Sequence, residues 1–242
     1  RSGCWIAGGD GMLKLDGVRI VQGDFTLQAD LEVAAGRRVA VIGPSGSGKS
    51  TLIGAIAGFV EPQAGHMIWD GRDMTAVPPG QRPVAMLFQD GNLFPHLSVA
   101  RNVGLGIDPR LRLTAEQRAQ VARALERVGL GGYEDRKPGE MSGGQQSRAA
   151  LARVLVQGRP LMLLDEPFAA LGPALKAEML DLVAGLTEES GATLLMVSHE
   201  PADARRIADE VILVAEGRAE PPVATAGLLD NPPPALQAYL GD

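Results

Sequence analysis

Eight consecutive residues, Gly43-Pro44-Ser45-Gly46-Ser47-Gly48-Lys49-Ser50, constrain this chain more than anything else in it. They match G-x-x-x-x-G-K-[ST] and lie between the apolar run Val39–Ile42 and a helix-like stretch, Lys49–Ala57. A buried strand, a glycine-rich turn and a helix form the one local context in which this string does chemistry. The glycines let the backbone wrap closely enough for successive N–H groups to face an anion, and the helix N-terminus adds partial positive charge. The expectation is a phosphate cradle running from Gly43 through Ser50 to Thr51. Lys49 would reach the β- and γ-phosphates, and the Ser50 hydroxyl would ligate Mg²⁺. A chance glycine turn is the bland alternative, and eight matching positions in the right strand-to-helix context weigh against it.

The flanking segments supply compatible elements. Phe25–Val33 alternates like a half-buried strand and is followed by the turn residue Gly36. Leu161–Leu164 and Thr193–Val197 are apolar runs of strand length, with Ala174–Leu186 reading as a helix between them. Thr114 with Gln117 fits a capping box, and Val121, Leu125 and Val128 form one face of a helix that ends near Gly129. Ser142–Val156 reads as a further helix, and Asn231–Pro234 breaks the tail. Strands alternating with helices imply an α/β fold with a parallel sheet, because parallel strands need crossover connections.

Composition excludes several classes. The chain has 242 residues, 45% hydrophobic and 21% charged, which is enough for a real core and rules out wholesale disorder. Lys and Arg number 23 against 29 Asp and Glu, and the resulting −6 argues against coating nucleic acid. A single cysteine, Cys4, excludes an internal disulfide framework and a cysteine-based zinc site. No apolar stretch is long enough to cross a bilayer, so a soluble, reduced chain is expected. Residues 1–11 are small and glycine-rich, have no basic or apolar signal regions, and read as a disordered extension containing Cys4 and Trp5.

Leu161–Leu164 delivers Asp165 and Glu166 to its C-terminal end, where open α/β sheets bind their ligands. Asp165 is placed to hold Mg²⁺ through its water shell, and Glu166 points elsewhere and can polarise an attacking water. Alone, such a pair is more often a strand-end solubiliser; beside the P-loop, the functional reading wins.

Kinases and GTPases share those features, and Met141-Ser142-Gly143-Gly144-Gln145 narrows the field. It describes another helix N-terminus, capped by Ser142, with two glycines that allow close approach to an anion. Ser142 lies 23 residues before Asp165 (165 minus 142), and Ser198-His199 follows the later apolar strand. In this order the motifs resemble those of ATP-binding cassette (ABC) ATPases, across nearly everything from Met12 onward. The resemblance implies one P-loop NTPase domain over 12–242, with a parallel core sheet, an N-terminal antiparallel β subdomain and an inserted α-helical subdomain at about 91–157. It implies that Gln89 contacts Mg²⁺ or the attacking water, and that His199 touches the γ-phosphate of ATP. It also implies a head-to-tail homodimer in which Ser142, Gly143, Gly144 and Gln145 close over ATP held by the other chain, and a transmembrane permease as partner.

Within the family, Arg82–Gln89, Asn92-Leu93-Phe94, His96-Leu97, Asn102–Gly106, Pro167-Phe168, Pro173-Ala174-Leu175 and Leu194–His199 are similar to ATPase subunits of bacterial importers of thiamine and thiamine pyrophosphate. The similarity implies a peripheral subunit on the cytoplasmic face of the inner membrane, with a periplasmic thiamine-binding protein acting indirectly. The short remainder after His199 fits importers without a C-terminal regulatory domain. Iron or polyamine import and a weakly hydrolysing regulatory module are the alternatives. A soluble cassette acting on DNA or the ribosome is disfavoured by the charge and by the lack of a long coiled-coil insertion or second cassette.

Three positions depart from the family pattern. No aromatic stands around Ile20-Val21-Gln22 to stack on adenine, and Phe25 is the nearest candidate, with a core role equally open. Gly172 replaces the Asp that follows Ala-Leu, and Met141 replaces Leu, a volume-conserving change.

Overall fold

The computed structural model describes residues 11–89, 91–233 and 236–237. The expected extension, with Cys4 and Trp5, lies outside the described residues except for Gly11. That residue is tied down, its N–H donating to Asp70 Oδ1 at 3.1 Å.

The N-terminal half runs β1 (Leu13–Gln22), β2 (Phe25–Val33), β3 (Arg38–Ile42), α1 (Lys49–Ala57), β4 (Ala64–Trp69), β5 (Arg72–Asp73) and β6 (Val84–Leu87). Next come α2 (Val99–Gly104), α3 (Ala115–Arg127), α4 (Gly143–Leu155), β7 (Leu161–Asp165) and α5 (Pro173–Ser190). The chain continues through β8 (Thr193–Val197), α6 (Pro201–Ile207), β9 (Glu210–Ala215), β10 (Arg218–Ala219), β11 (Val223–Ala224) and α7 (Thr225–Asp230).

One sheet runs β5-β4-β1-β2-β10-β9-β3-β8-β7-β6. Its first part is antiparallel: β1 pairs with β2 and β4, and β4 with β5. The stretch from β9 to β6 is parallel throughout. Burial explains the difference. β2 alternates between buried and exposed residues over most of its length, as a one-sided antiparallel strand should, whereas β8 is buried at all five positions, as a strand covered on both faces must be.

Helix α1 is enclosed between the two parts of the sheet. Leu52 to Ala57 are all buried, and Leu52, Ile53 and Ile56 share a core cluster with Leu13, Ile20, Leu27, Leu163 and Val197. A helix apolar all round belongs inside a protein, and here it carries the P-loop with it. A second core joins Val103 of α2, Val121 and Leu125 of α3, Leu151 of α4 and Met179 of α5 to the other face of the parallel strands.

The C-terminal end of α1 is held by Arg82, which is 3% exposed. Its guanidinium donates to the carbonyls of Ala55 (2.7 Å), Ile56 (2.9 Å), Thr75 (2.8 Å) and Val77 (2.7 Å). A cation at a helix C-terminus satisfies carbonyls that have no intrahelical partner and opposes the helix dipole. Burial pushes the Arg82 pKa down. Because Arg82→Ala strands four acceptors, it is expected to destabilise the chain by about 3 kcal/mol in urea unfolding. Arg82→Lys should recover only part of that, since one ammonium cannot span four carbonyls.

Helix α5 runs to Ser190, four residues beyond the Leu186 expected from sequence (190 minus 186). The Thr187 and Ser190 hydroxyls donate to carbonyls of the preceding turn, and Gly191, in left-handed backbone, ends the helix. Its first turn has no side-chain cap, because Gly172 stands at the N-cap and Pro173 at N1.

Candidate active site

The parallel strand order places four motifs side by side. Each begins where a strand ends: the P-loop after β3, Ser198-His199 after β8, Asp165-Glu166 at the end of β7, and Phe88-Gln89 after β6. The P-loop leaves β3 through Gly43, whose φ of +148° and closeness to the Val214 carbonyl oxygen exclude a side chain; a Cβ there would lie 2.0 Å from that oxygen. The loop closes around its own lysine. Lys49 is 4% exposed, and its ammonium donates to the carbonyls of Gly43 and Pro44, both at 2.8 Å. Burial pushes its pKa down, opposed by the carboxylates of Glu166 and Asp165. The Ser47 hydroxyl is buried without a hydrogen-bond partner, a costly arrangement that an oxygen-rich ligand at the loop would relieve.

The Ser50 hydroxyl donates to Asp165 Oδ1 at 3.0 Å, so two oxygen ligands of the kind a hard cation prefers stand adjacent. Burial raises the Asp165 pKa; the Ser50 hydrogen bond lowers it, and the Glu166 charge again raises it. Glu166 has left-handed backbone, φ +48°, a strained state for a residue with a side chain and one that concentrates at functional sites. Its N–H donates to the Val197 carbonyl at 3.3 Å, and its Oε1 contacts His199 Nε2. Among the described residues no group of three or more His, Cys, Asp or Glu is placed to hold a metal ion.

A cavity of about 460 Å³ opens between the P-loop, Glu166 and His199, and is walled on the other side by Gln22 and Phe25. Its size suits a nucleotide. Phe25 is half-buried, packs against Gly48, lines the cavity and also touches the core. Gln22 accepts from the Thr51 hydroxyl at 3.3 Å and shares this wall, a polar residue for which no sequence motif stands.

The remaining candidates stand elsewhere. Gln89 is exposed in the turn after β6 and does not line this cavity. Ser142 caps α4 in a full capping box: its hydroxyl accepts from the Gln145 N–H at 3.3 Å, and Gln145 Oε1 accepts from the Ser142 N–H at 3.0 Å. Ser142 and Gly143 are exposed, but Gly144 is buried against Leu175, where a Cβ would lie 2.5 Å from Cδ2. The second glycine of the motif thus serves packing within its own chain.

A family profile for ABC transporters matches residues 27–169. A thiamine import ATP-binding protein (ThiQ) from Ruegeria sp. is 66% identical over 95% of this chain and 100% of its own length. The chain belongs to the ABC transporter family. A second thiamine import ATP-binding protein, from Cereibacter sphaeroides, is 64% identical over the same shares. Among solved structures, CbiO1 from Clostridium perfringens, part of the ABC transporter complex CbiONQ, superposes with a TM-score of 0.82 at 28% identity, covering 92% of each chain. An ATP-binding cassette solved as a dimer after hydrolysis, with ADP and phosphate bound, has a TM-score of 0.74 at 29% identity over 88% of this chain and 98% of its own. The α/β P-loop NTPase fold expected from the sequence is the fold these relatives share.

Proposed function

We propose that the chain is the ATP-hydrolysing subunit of an ABC importer that takes up thiamine and its phosphate esters. The observation that carries this is the full-length similarity to thiamine import ATP-binding proteins, at 66% and 64% identity. The site has parts that suit the chemistry. ATP phosphates would lie on the P-loop amides and the start of α1, with Lys49 turning from the Gly43 and Pro44 carbonyls toward the β- and γ-oxygens. Phe25 and Gln22 are placed for the base and sugar at the opposite wall. Ser50 and Asp165 would hold Mg²⁺, which when bound neutralises charge on the phosphate oxygens, and Gln89, which does not line the cavity, would have to turn inward to reach it. Glu166 would accept the proton of the attacking water, and His199 would hold that carboxylate in place and reach the γ-phosphate.

Ser142 and Gly143 stand exposed outside their own chain's cavity, which supports a head-to-tail homodimer in which they serve the partner's ATP. Phe59, Phe88 and Phe94 are exposed, and the Phe59 and Phe88 rings lie 5.7 Å apart beside Gln89. Such a patch fits a transmembrane permease subunit, docked at the cytoplasmic face of the inner membrane. Among the described residues no helix is long and apolar enough to cross a membrane. A periplasmic thiamine-binding protein would communicate only through the permease. Gly172, in place of the Asp of the family pattern, and the lack of an aromatic around Ile20-Val21-Gln22 favour a second reading, a weakly hydrolysing regulatory module.

Source cells lacking this chain should lose uptake of labelled thiamine and retain uptake of iron and polyamine. Intact thiamine uptake with loss of either other solute would transfer the assignment to that solute. Loss of none would favour the regulatory module.

A further inference from the structure

His199 has an exposed ring, yet the residues on either side of it are fixed. The Ser198 hydroxyl accepts from the Glu200 N–H at 3.1 Å and donates to Asp203 Oδ2, so one side chain bridges the histidine. The Ser198 N–H donates to the Val41 carbonyl of β3 at 3.3 Å, which ties the same residue to the strand that feeds the P-loop. Asp203, in the first turn of α6, is 6% exposed and its charge is met by Lys176 Nζ at 2.7 Å. Lys176, from the first turn of α5, also binds Glu200 Oε1 at 2.8 Å. Three elements therefore hold residues 198 and 200 on either side of the histidine, whose Nε2 meets Glu166 Oε1.

Behind Glu166 and His199 lies a small cavity of about 110 Å³, bounded by Lys176, Ser198 and Asp203 among others. It gives the histidine loop somewhere to move once the grip is cut.

We infer that Ser198, Asp203 and Lys176 are positioning residues that set the reach of His199 to Glu166 and hence the rate of ATP hydrolysis. The inference rests on the hydrolytic reading above. None of the three lines the cavity beside the P-loop; they act by fixing the backbone from which the imidazole projects. Cutting the bridge should slow turnover and leave nucleotide binding alone, since the P-loop contacts lie on other residues.

The test is a double-mutant cycle on the full-length chain, read as steady-state phosphate release with MgATP. Ser198→Ala should lower kcat about tenfold and keep the KM for ATP within about twofold, while Ser198→Thr, which retains the hydroxyl, should stay near wild type. Combined with His199→Ala, Ser198→Ala should cost nothing further, because its effect passes through the histidine. Should Ser198→Ala fail to fold, Asp203→Asn, which keeps the shape and removes the charge, carries the same comparison. Multiplicative losses in the double variant, or a wild-type kcat in Ser198→Ala beside a slow His199→Ala, would overturn the positioning role alone. A wild-type kcat in His199→Ala would overturn the role of His199 itself, and the inference with it.

Discussion

Lys49→Ala is expected to weaken MgATP binding by a hundredfold or more, measured by titration calorimetry or a fluorescent nucleotide. The ammonium is buried beside the Gly43 and Pro44 carbonyls, and the nearby Glu166 and Asp165 leave the site short of positive charge without it. Hydrogen bonds to charged groups contribute about 1.5–3 kcal/mol each. Losing two to phosphate oxygens therefore accounts for an affinity loss of that size, since every 1.4 kcal/mol is tenfold. The fold should survive. Two loop carbonyls lose a partner, costing about 1–3 kcal/mol, but a lysine whose pKa burial pushes down is also removed. Lys49→Arg should not rescue, because the guanidinium is larger than the pocket formed by those two carbonyls.

The second large effect belongs to Glu166→Gln. It should lower phosphate release by about 10²–10⁴-fold, the usual contribution of a general base, with ATP affinity kept. The amide can still bond to His199 and is as tolerant as the carboxylate of the left-handed backbone at this residue. With hydrolysis blocked, MgATP should hold two chains together long enough to elute as a dimer in size-exclusion chromatography. A Glu166→Gln chain that binds MgATP and stays monomeric would count against a site completed by Ser142 and Gly143 of a second copy.

Much of the site was legible in the sequence because its residues follow strand ends, and strand ends are marked by apolar runs. The bounds of α1 and β8 follow from residue pattern alone: the P-loop glycine and Gly58 bracket the helix, and an unbroken apolar run defines the strand. Helix α2 was not foreseen, since six residues are too few to show a period, although Ser98 caps it and Asn102 bonds four times to the loop around Phe94 and Ser98. Arg82 left no signal because all its partners are backbone carbonyls, which every residue type supplies. The ion pair of Lys176 with Asp203 depends on how α5 packs against α6, a relation that no local spacing encodes. Phe25 reaches the cavity wall through strand pairing: Gln22 and Phe25 face each other across the turn between β1 and β2, which brings both to the same rim.

We propose that ATP hydrolysis by this chain drives thiamine uptake. The most direct measurement is accumulation of labelled thiamine in source cells whose only copy of the chain carries Glu166→Gln, at protein levels matched to wild type. Uptake should fall to the level of cells lacking the chain and return with the wild-type copy. Uptake at the wild-type rate through Glu166→Gln would contradict the claim.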